Sequence, residues 1–273
     1  MIGHMLRNKI SVNDITMRVP LYHERVPVVV LWSEKAACTT VVKWYLSQVG
    51  ILLRALNYHN WIHNFENEVF KTSDGYLEKC ADAMNQGQPV IKFVRNPYTR
   101  LYSGYLETCR RRVLTDNDHW STQTRKAVLT DLVGEDTELE YAYSFNQFVD
   151  WLDLKKGRGL DPHLSIQYQA YEEKLDIDLI KLEGSNAVFQ DVEGRYGLKN
   201  TKGRPVIYKS GHHHKKQQRS VHEQQLSLSL GMPVLRDKRF AVYDITAEAI
   251  ANSEAGEKVR KIFARDFEAY GFE

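Results

Sequence analysis

Two short apolar runs, each cut off by a polar loop and followed by a helical pattern, constrain this 273-residue chain more than any other feature. Val26–Trp32 reads VPVVVLW and Val90–Val94 reads VIKFV. Continuous apolar runs this short and this rich in β-branched residues suit strands buried on both faces, as in a parallel sheet. Ile177–Leu182, ending at Glu183, is a third short strand candidate. After the first run come Ser33-Glu34-Lys35-Ala36-Ala37-Cys38 and a helix predicted over Thr39–Leu53. After the second, Asn96-Pro97 breaks the strand, and Pro97 suits the first position of a helix through Tyr98–Arg112. Strands alternating with helices predict an α/β sheet with covering helices.

Further helices are expected over Ser73–Met84 with Ser73 as N-cap, and over Phe145–Leu152, Val188–Tyr196 and Glu257–Tyr270. Residues 1–20 read as an N-terminal arm and 199–220 as a polar loop of a single domain spanning 1–273. Apolar residues make up 42% and net charge is only +2, so neither nucleic-acid nor membrane adhesion is implied. No apolar run approaches the ~20 residues that span a bilayer. The three cysteines, Cys38, Cys80 and Cys109, form no C-x-x-C pair and read as free thiols of a reducing, cytoplasmic compartment.

The loop after the first run can hold an anion. Backbone N–H groups at a helix N-terminus are unpaired, and the helix dipole favours negative charge there. Ala36 and Ala37 let an anion approach the backbone, Thr39 and Thr40 add hydroxyls, and Lys35 adds a full charge. An ordinary strand-to-helix turn with a surface lysine accounts for the same residues. In the second motif Arg95 leaves the strand end and Arg100 and Ser103 share a helix face, so that Arg95 and Ser103 can converge on one phosphate. Salt bridging by Arg100 and packing of Ser103 is the plainer alternative.

Taken together these residues resemble a known family. Lys35-Ala36-Ala37-Cys38-Thr39-Thr40 is similar to the 5′-phosphosulfate loop of sulfotransferases that use 3′-phosphoadenosine 5′-phosphosulfate (PAPS). The run from Arg95 to Tyr105 resembles their 3′-phosphate motif, R-x-P-x-x-R-x-x-S-x-Y. Asp161–Gln167 resembles the H-x-x-x-Q segment of the carbohydrate branch, with Ile166 where that branch usually has proline. The resemblance implies a P-loop NTPase-like three-layer α/β sandwich around a central parallel sheet. It implies PAPS as donor, the corresponding bisphosphate (PAP) as product, and no metal. Lys35, Ala36, Ala37, Cys38, Thr39, Thr40, Arg95 and Ser103 would hold the donor, with Lys35 stabilising charge on the bridging oxygen.

A hydroxyl acceptor needs a base, for which His59, His63 and His163 are the candidates and Glu34 and Glu183 the reserves. The acceptor expected is a glycan or a small hydroxylated or amino molecule such as a secondary metabolite. His212-His213-His214-Lys215-Lys216 reads as a solvated basic loop or one that meets an anionic ligand, rather than a metal site. Two other functions compete: a nucleotide-dependent phosphotransferase, which lacks its G-K-[ST] here, and a non-catalytic protein that binds anions or sulfated glycans.

Overall fold

The computed structural model describes residues 9–183, 187–208, 220–235 and 245–273. In chain order the strands and α-helices are β1 (Val29–Leu31), α1 (Cys38–Val49), α2 (Leu52–Tyr58), α3 (Ile62–Phe65), α4 (Tyr76–Asn85), β2 (Val90–Val94), α5 (Pro97–Thr108), α6 (Trp120–Leu132) and α7 (Phe145–Lys155). There follow β3 (Ile177–Lys181), α8 (Ala187–Arg195), α9 (Pro205–Tyr208), α10 (Val221–Ser229), α11 (Ala247–Ala251), α12 (Gly256–Ile262) and α13 (Ala264–Tyr270). A π-helical turn, Glu66–Phe70, continues α3.

This is a mostly helical chain, and it overturns the expected P-loop-like sandwich. The sheet is parallel, but among the described residues it has only three strands, of 3, 5 and 5 residues, in the order β1-β2-β3. The reason lies in the patterning. Among the described residues only these three segments pair as strands, and the other buried apolar residues lie largely in helices, which pack on one another rather than over a wide sheet. Val26–Trp32 shrinks to three paired residues, with Leu21 bridging Val30 from the other side in antiparallel sense. Ser73 is not an N-cap: α4 starts after Gly75, which takes φ 67°. The terminal helix is two helices, divided at Phe263 with φ −105° and ψ 23°. His212–Lys216 lies outside the described residues.

The chain packs as two units. One comprises the described residues of Met1–Val94 and Gln167–Gly211 and holds the sheet. Register Leu31↔Lys92 and Lys92↔Leu179 aligns its three strands. Helix α1 covers the sheet: Trp44 meets Phe93 edge-on at 5.6 Å, and its indole N–H donates to Glu193 Oε1 on α8 at 2.9 Å. Gly50 ends α1 at φ 93°, and its N–H caps the carbonyls of Leu46 and Ser47. The expected N-terminal arm is partly core, since Ile10 and Ile15 are buried.

The other unit comprises the described residues of Arg95–Ile166 and His212–Glu273. Its core is helix on helix, with Tyr98, Tyr105, Phe145, Phe148 and Phe267 at its centre. Arg125 on α6 is fully buried and donates to the carbonyls of Thr108, Leu139 and Tyr141 at 2.9, 2.5 and 2.6 Å. It thereby fastens an otherwise irregular stretch after α6 to α5.

Candidate functional site

The loop between β1 and α1 turns without glycine by placing two ordinary residues in left-handed conformation, Lys35 at φ 62° and Ala37 at φ 52°. Each costs about 1–2 kcal/mol, strain of the kind that collects at functional sites. Ala36 is buried beneath the loop, and Ala37, the N-cap of α1, provides no side-chain oxygen to its first N–H groups. Thr40 N–H donates instead to the Ala37 carbonyl at 2.8 Å, and the N–H groups of Cys38 and Thr39 lie ahead of it at the positive end of a 12-residue helix. Arg18 holds the loop from the N-terminal segment through Glu34, Nε to Oε2 at 2.8 Å. Two donors beside it, Trp32 Nε1 and Ser33 Oγ, are buried without a hydrogen-bond partner.

His63 lies against this loop. It is 6% exposed, with Nε2 3.4 Å from Thr39 Oγ1. The ring is flanked by Trp32 and Trp61, at centroid distances of 5.6 and 5.3 Å. Its Nδ1 is 2.5 Å from Glu66 Oε2, and the other oxygen of Glu66 is 2.6 Å from Lys71 Nζ. The π-turn explains this order. Its i→i+5 bond, Lys71 N–H to Glu66 carbonyl at 2.9 Å, sets Lys71 over Glu66 one turn on.

The charges in this chain alternate. Burial disfavours charge on Glu66, but Lys71 and His63 outweigh it and hold the carboxyl below its usual range. Burial likewise disfavours the imidazolium of His63, but the hydrogen bonds and charges of Cys38 and Glu66 prevail and raise it to about 10. Burial pushes the Cys38 thiol up and Glu34 adds to that, yet His63 and Lys35 bring it below its usual value.

The other two histidines are placed differently. His59 is exposed at the end of α2, and its Nδ1 accepts the Trp61 N–H at 3.0 Å. His163 belongs to the second unit, half-buried, with Nδ1 2.6 Å from Asp161 and its ring stacked on Trp120 at 4.2 Å. Of the reserve bases, Glu34 is engaged by Arg18 and Glu183 is exposed beyond β3.

In the second unit, Asn96 caps α5, accepting the Tyr98 N–H at 2.9 Å, with Pro97 at the first helical position. Arg95 donates from Nε to Thr99 Oγ1 at 3.2 Å, and Ser103 is half-buried two turns into the helix. Arg100 is buried and structural: its guanidinium donates to the carbonyls of Ser165 and Pro162 at 2.6 and 3.1 Å. Gly104 permits that segment to approach, since a Cβ there would lie 2.7 Å from Leu164 Cδ2.

Glu66 and Lys71 escaped the reading of the sequence. The available signal was the i, i+3 spacing of His63 and Glu66, which places both on one helical face. Among the described residues no cluster of three or more histidines, cysteines or carboxylates is arranged for a metal, and no helix is long and apolar enough to cross a membrane. Comparison with known proteins returns no match to a family model, a curated protein or a solved structure.

Proposed function

We propose that the protein moves a sulfuryl group from PAPS to a hydroxyl or amino group of a glycan or small-molecule acceptor. The observation that carries this reading is local to the first unit. His63, 24 residues beyond Thr39, comes to the N-terminus of α1 beside the lysine-bearing loop, with a carboxylate fixing its far nitrogen. An anion cradle, a cation for the leaving group and an oriented base are the parts that in-line transfer requires. In this assignment the 5′-phosphosulfate lies on the N–H groups from Ala37 to Thr39 and the hydroxyls of Thr39 and Thr40, with Lys35 on the bridging oxygen. Arg95 and Ser103 recognise the 3′-phosphate.

Calorimetric titration with PAP, with ATP as control, tests the donor. PAP is expected to bind at micromolar concentration and ATP far more weakly, Arg95→Ala and Ser103→Ala to remove the preference, and Lys35→Ala to weaken PAP. Equal binding of ATP and PAP would bring the phosphotransferase forward. Tight PAP binding without sulfate transfer to any acceptor would favour the binding protein.

The acid–base state makes a second prediction. His63 is raised to about 10, so at neutral pH it carries its proton and the base form grows as pH rises. Transfer is therefore expected to climb from pH 7 to 9 and to level only near 10, rather than near the ordinary imidazole value. Cys38→Ser removes a group that helps to raise His63 and is expected to move that limb to lower pH. A wild-type profile already flat above pH 7 would remove His63 as the base.

A further inference from the structure

We propose that the first unit binds an aromatic carboxylate in a cleft of its own, apart from the loop that carries Lys35. The cleft has a volume of about 440 Å³ and lies where the segment before β1, the C-terminal end of α1, the π-turn and the start of α4 meet. That size falls within the range of small-molecule sites. Val49 forms part of its wall and stands ten residues along α1 from Thr39. At about 1.5 Å per residue, ~15 Å of helix separate the cleft from the α1 N-terminus. The proposal therefore stands whether or not PAPS is the donor.

The floor of the cleft is aromatic. Phe65, Phe70 and Tyr76 line it, and all three are buried. Phe70 meets Tyr76 edge-on at 5.7 Å and lies nearly parallel to the half-buried ring of His23, with centroids 6.3 Å apart. Tyr76 contributes only its ring, because its hydroxyl donates to the Pro20 carbonyl and accepts the Tyr22 N–H, both at 3.0 Å. Burial, with Arg25 and against Glu24, holds the His23 imidazolium below its ordinary range, and its Nδ1 accepts the Arg25 N–H at 3.2 Å. At neutral pH this ring is therefore a further uncharged aromatic face. Walls of this kind suit a planar ring.

The rim is cationic. Arg25, Arg54 and Lys79 line it and are exposed. Among the described residues neither Arg25 nor Arg54 has a carboxylate partner, and Lys79 Nζ donates to the Asp74 carbonyl at 2.9 Å. The Arg54 guanidinium lies 6.0 Å from the centroid of Phe65, which sets a cation beside the aromatic floor. A guanidinium fork matches a carboxylate and keeps its charge at every relevant pH. Glu24 shares the lining and pairs with neither arginine. Its negative charge disfavours a doubly charged head group and leaves a single carboxylate as the better fit. The carbonyls at this end of α1 do not oppose an anion either. Those of Leu46 and Ser47 accept the Gly50 N–H, and that of Gln48 accepts Lys199 Nζ at 2.9 Å.

The test is calorimetric titration of the full chain with 2-naphthoate, beside its neutral counterpart 2-naphthylmethanol and beside acetate. One naphthoate is expected to bind with Kd of about 0.1–1 mM, the range set by its thirteen non-hydrogen atoms. The alcohol and acetate should each bind at least about tenfold more weakly, since each lacks one half of the match. Arg25→Gln and Arg54→Gln should each weaken naphthoate by about three- to tenfold, and both positions are exposed, so the fold is kept. Val69→Phe adds bulk on the half-buried wall and should weaken it too. Lys35→Ala and saturating PAP should leave it unchanged. Thermal melting followed by circular dichroism checks that each variant is folded. Absence of naphthoate binding, equal binding of the alcohol, or an affinity indifferent to both arginines overturns the proposal. So does loss of naphthoate in Lys35→Ala or its displacement by PAP, which would put the anion on the α1 loop. A protein that binds naphthoate through Arg25 and Arg54 but does not bind PAP fails the donor assignment alone.

Discussion

On the proposed chemistry, His63→Asn lowers the rate of sulfuryl transfer by about 10²–10⁴-fold while PAP affinity stays nearly the same. The asymmetry follows from what the ring does. A base acts on the acceptor proton as the new bond forms, so its loss appears in turnover and not in the binding of a product that has no proton to give. Asparagine keeps a polar atom near the place of Nδ1 for Glu66 while giving up the reach of Nε2 to Thr39, so the partner of the carboxylate between Trp32 and Trp61 is kept. Glu66→Gln is expected to cost less, because the ring keeps a hydrogen-bonding neighbour and loses only the charge that orients and raises it. Single-turnover measurement of transfer, beside calorimetry with PAP, separates the two roles available to this histidine. If His63→Asn weakens PAP as much as it slows transfer, the ring is a binding cation for the donor and the base lies elsewhere.

Two strands were legible because a buried strand declares itself locally, and β3, mostly half-buried, was marked by apolar residues interrupted at Asp178 and Lys181. Val90–Val94 forms over the residues that its apolar run marks, and Ile177–Lys181 falls one residue short. Helix α1 starts at Cys38, one residue before its expected start, since the cap is made by the backbone of Ala37 rather than by a threonine side chain. The extent of the sheet was not legible. Fold class came from the resemblance of two motifs, whereas the width of a sheet is set by how many further runs the chain supplies, and here helices take that surface. His63 could be nominated by residue type, yet what distinguishes it from His59 is burial and partners. Glu66 is the clearest case: a glutamate at i+3 from a histidine reads as part of a solvated face, but here it is fully buried between His63 and Lys71. Arg100, left out of the expected donor set, holds two backbone carbonyls.

The same buried-charge logic supports a prediction on stability. Lys92 points from the middle of β2 into the first unit, 1% exposed, with its ammonium paired to Glu172 and donating to the Gln167 carbonyl at 2.8 Å. Arg18 Nη1 donates to that same carbonyl at 3.2 Å, and its Nε reaches Glu34 in the β1–α1 loop. One carbonyl thus joins the central strand, the return of the chain at Gln167 and the segment that fixes the loop. Glu172→Leu leaves Lys92 charged and buried without its anion and is expected to destabilise the protein by about 3–5 kcal/mol. Lys92→Met together with Glu172→Leu removes both charges and restores packing. It should recover most of that loss, because desolvating the two ions offsets much of their attraction in the native pair. Denaturant unfolding of both single variants and the double one measures the coupling. A double variant as unstable as the sum of its singles would show that Lys92 and Glu172 act separately. Recovery of stability without recovery of PAP affinity would instead assign the pair, through the shared carbonyl and Arg18, to setting the loop that carries Lys35.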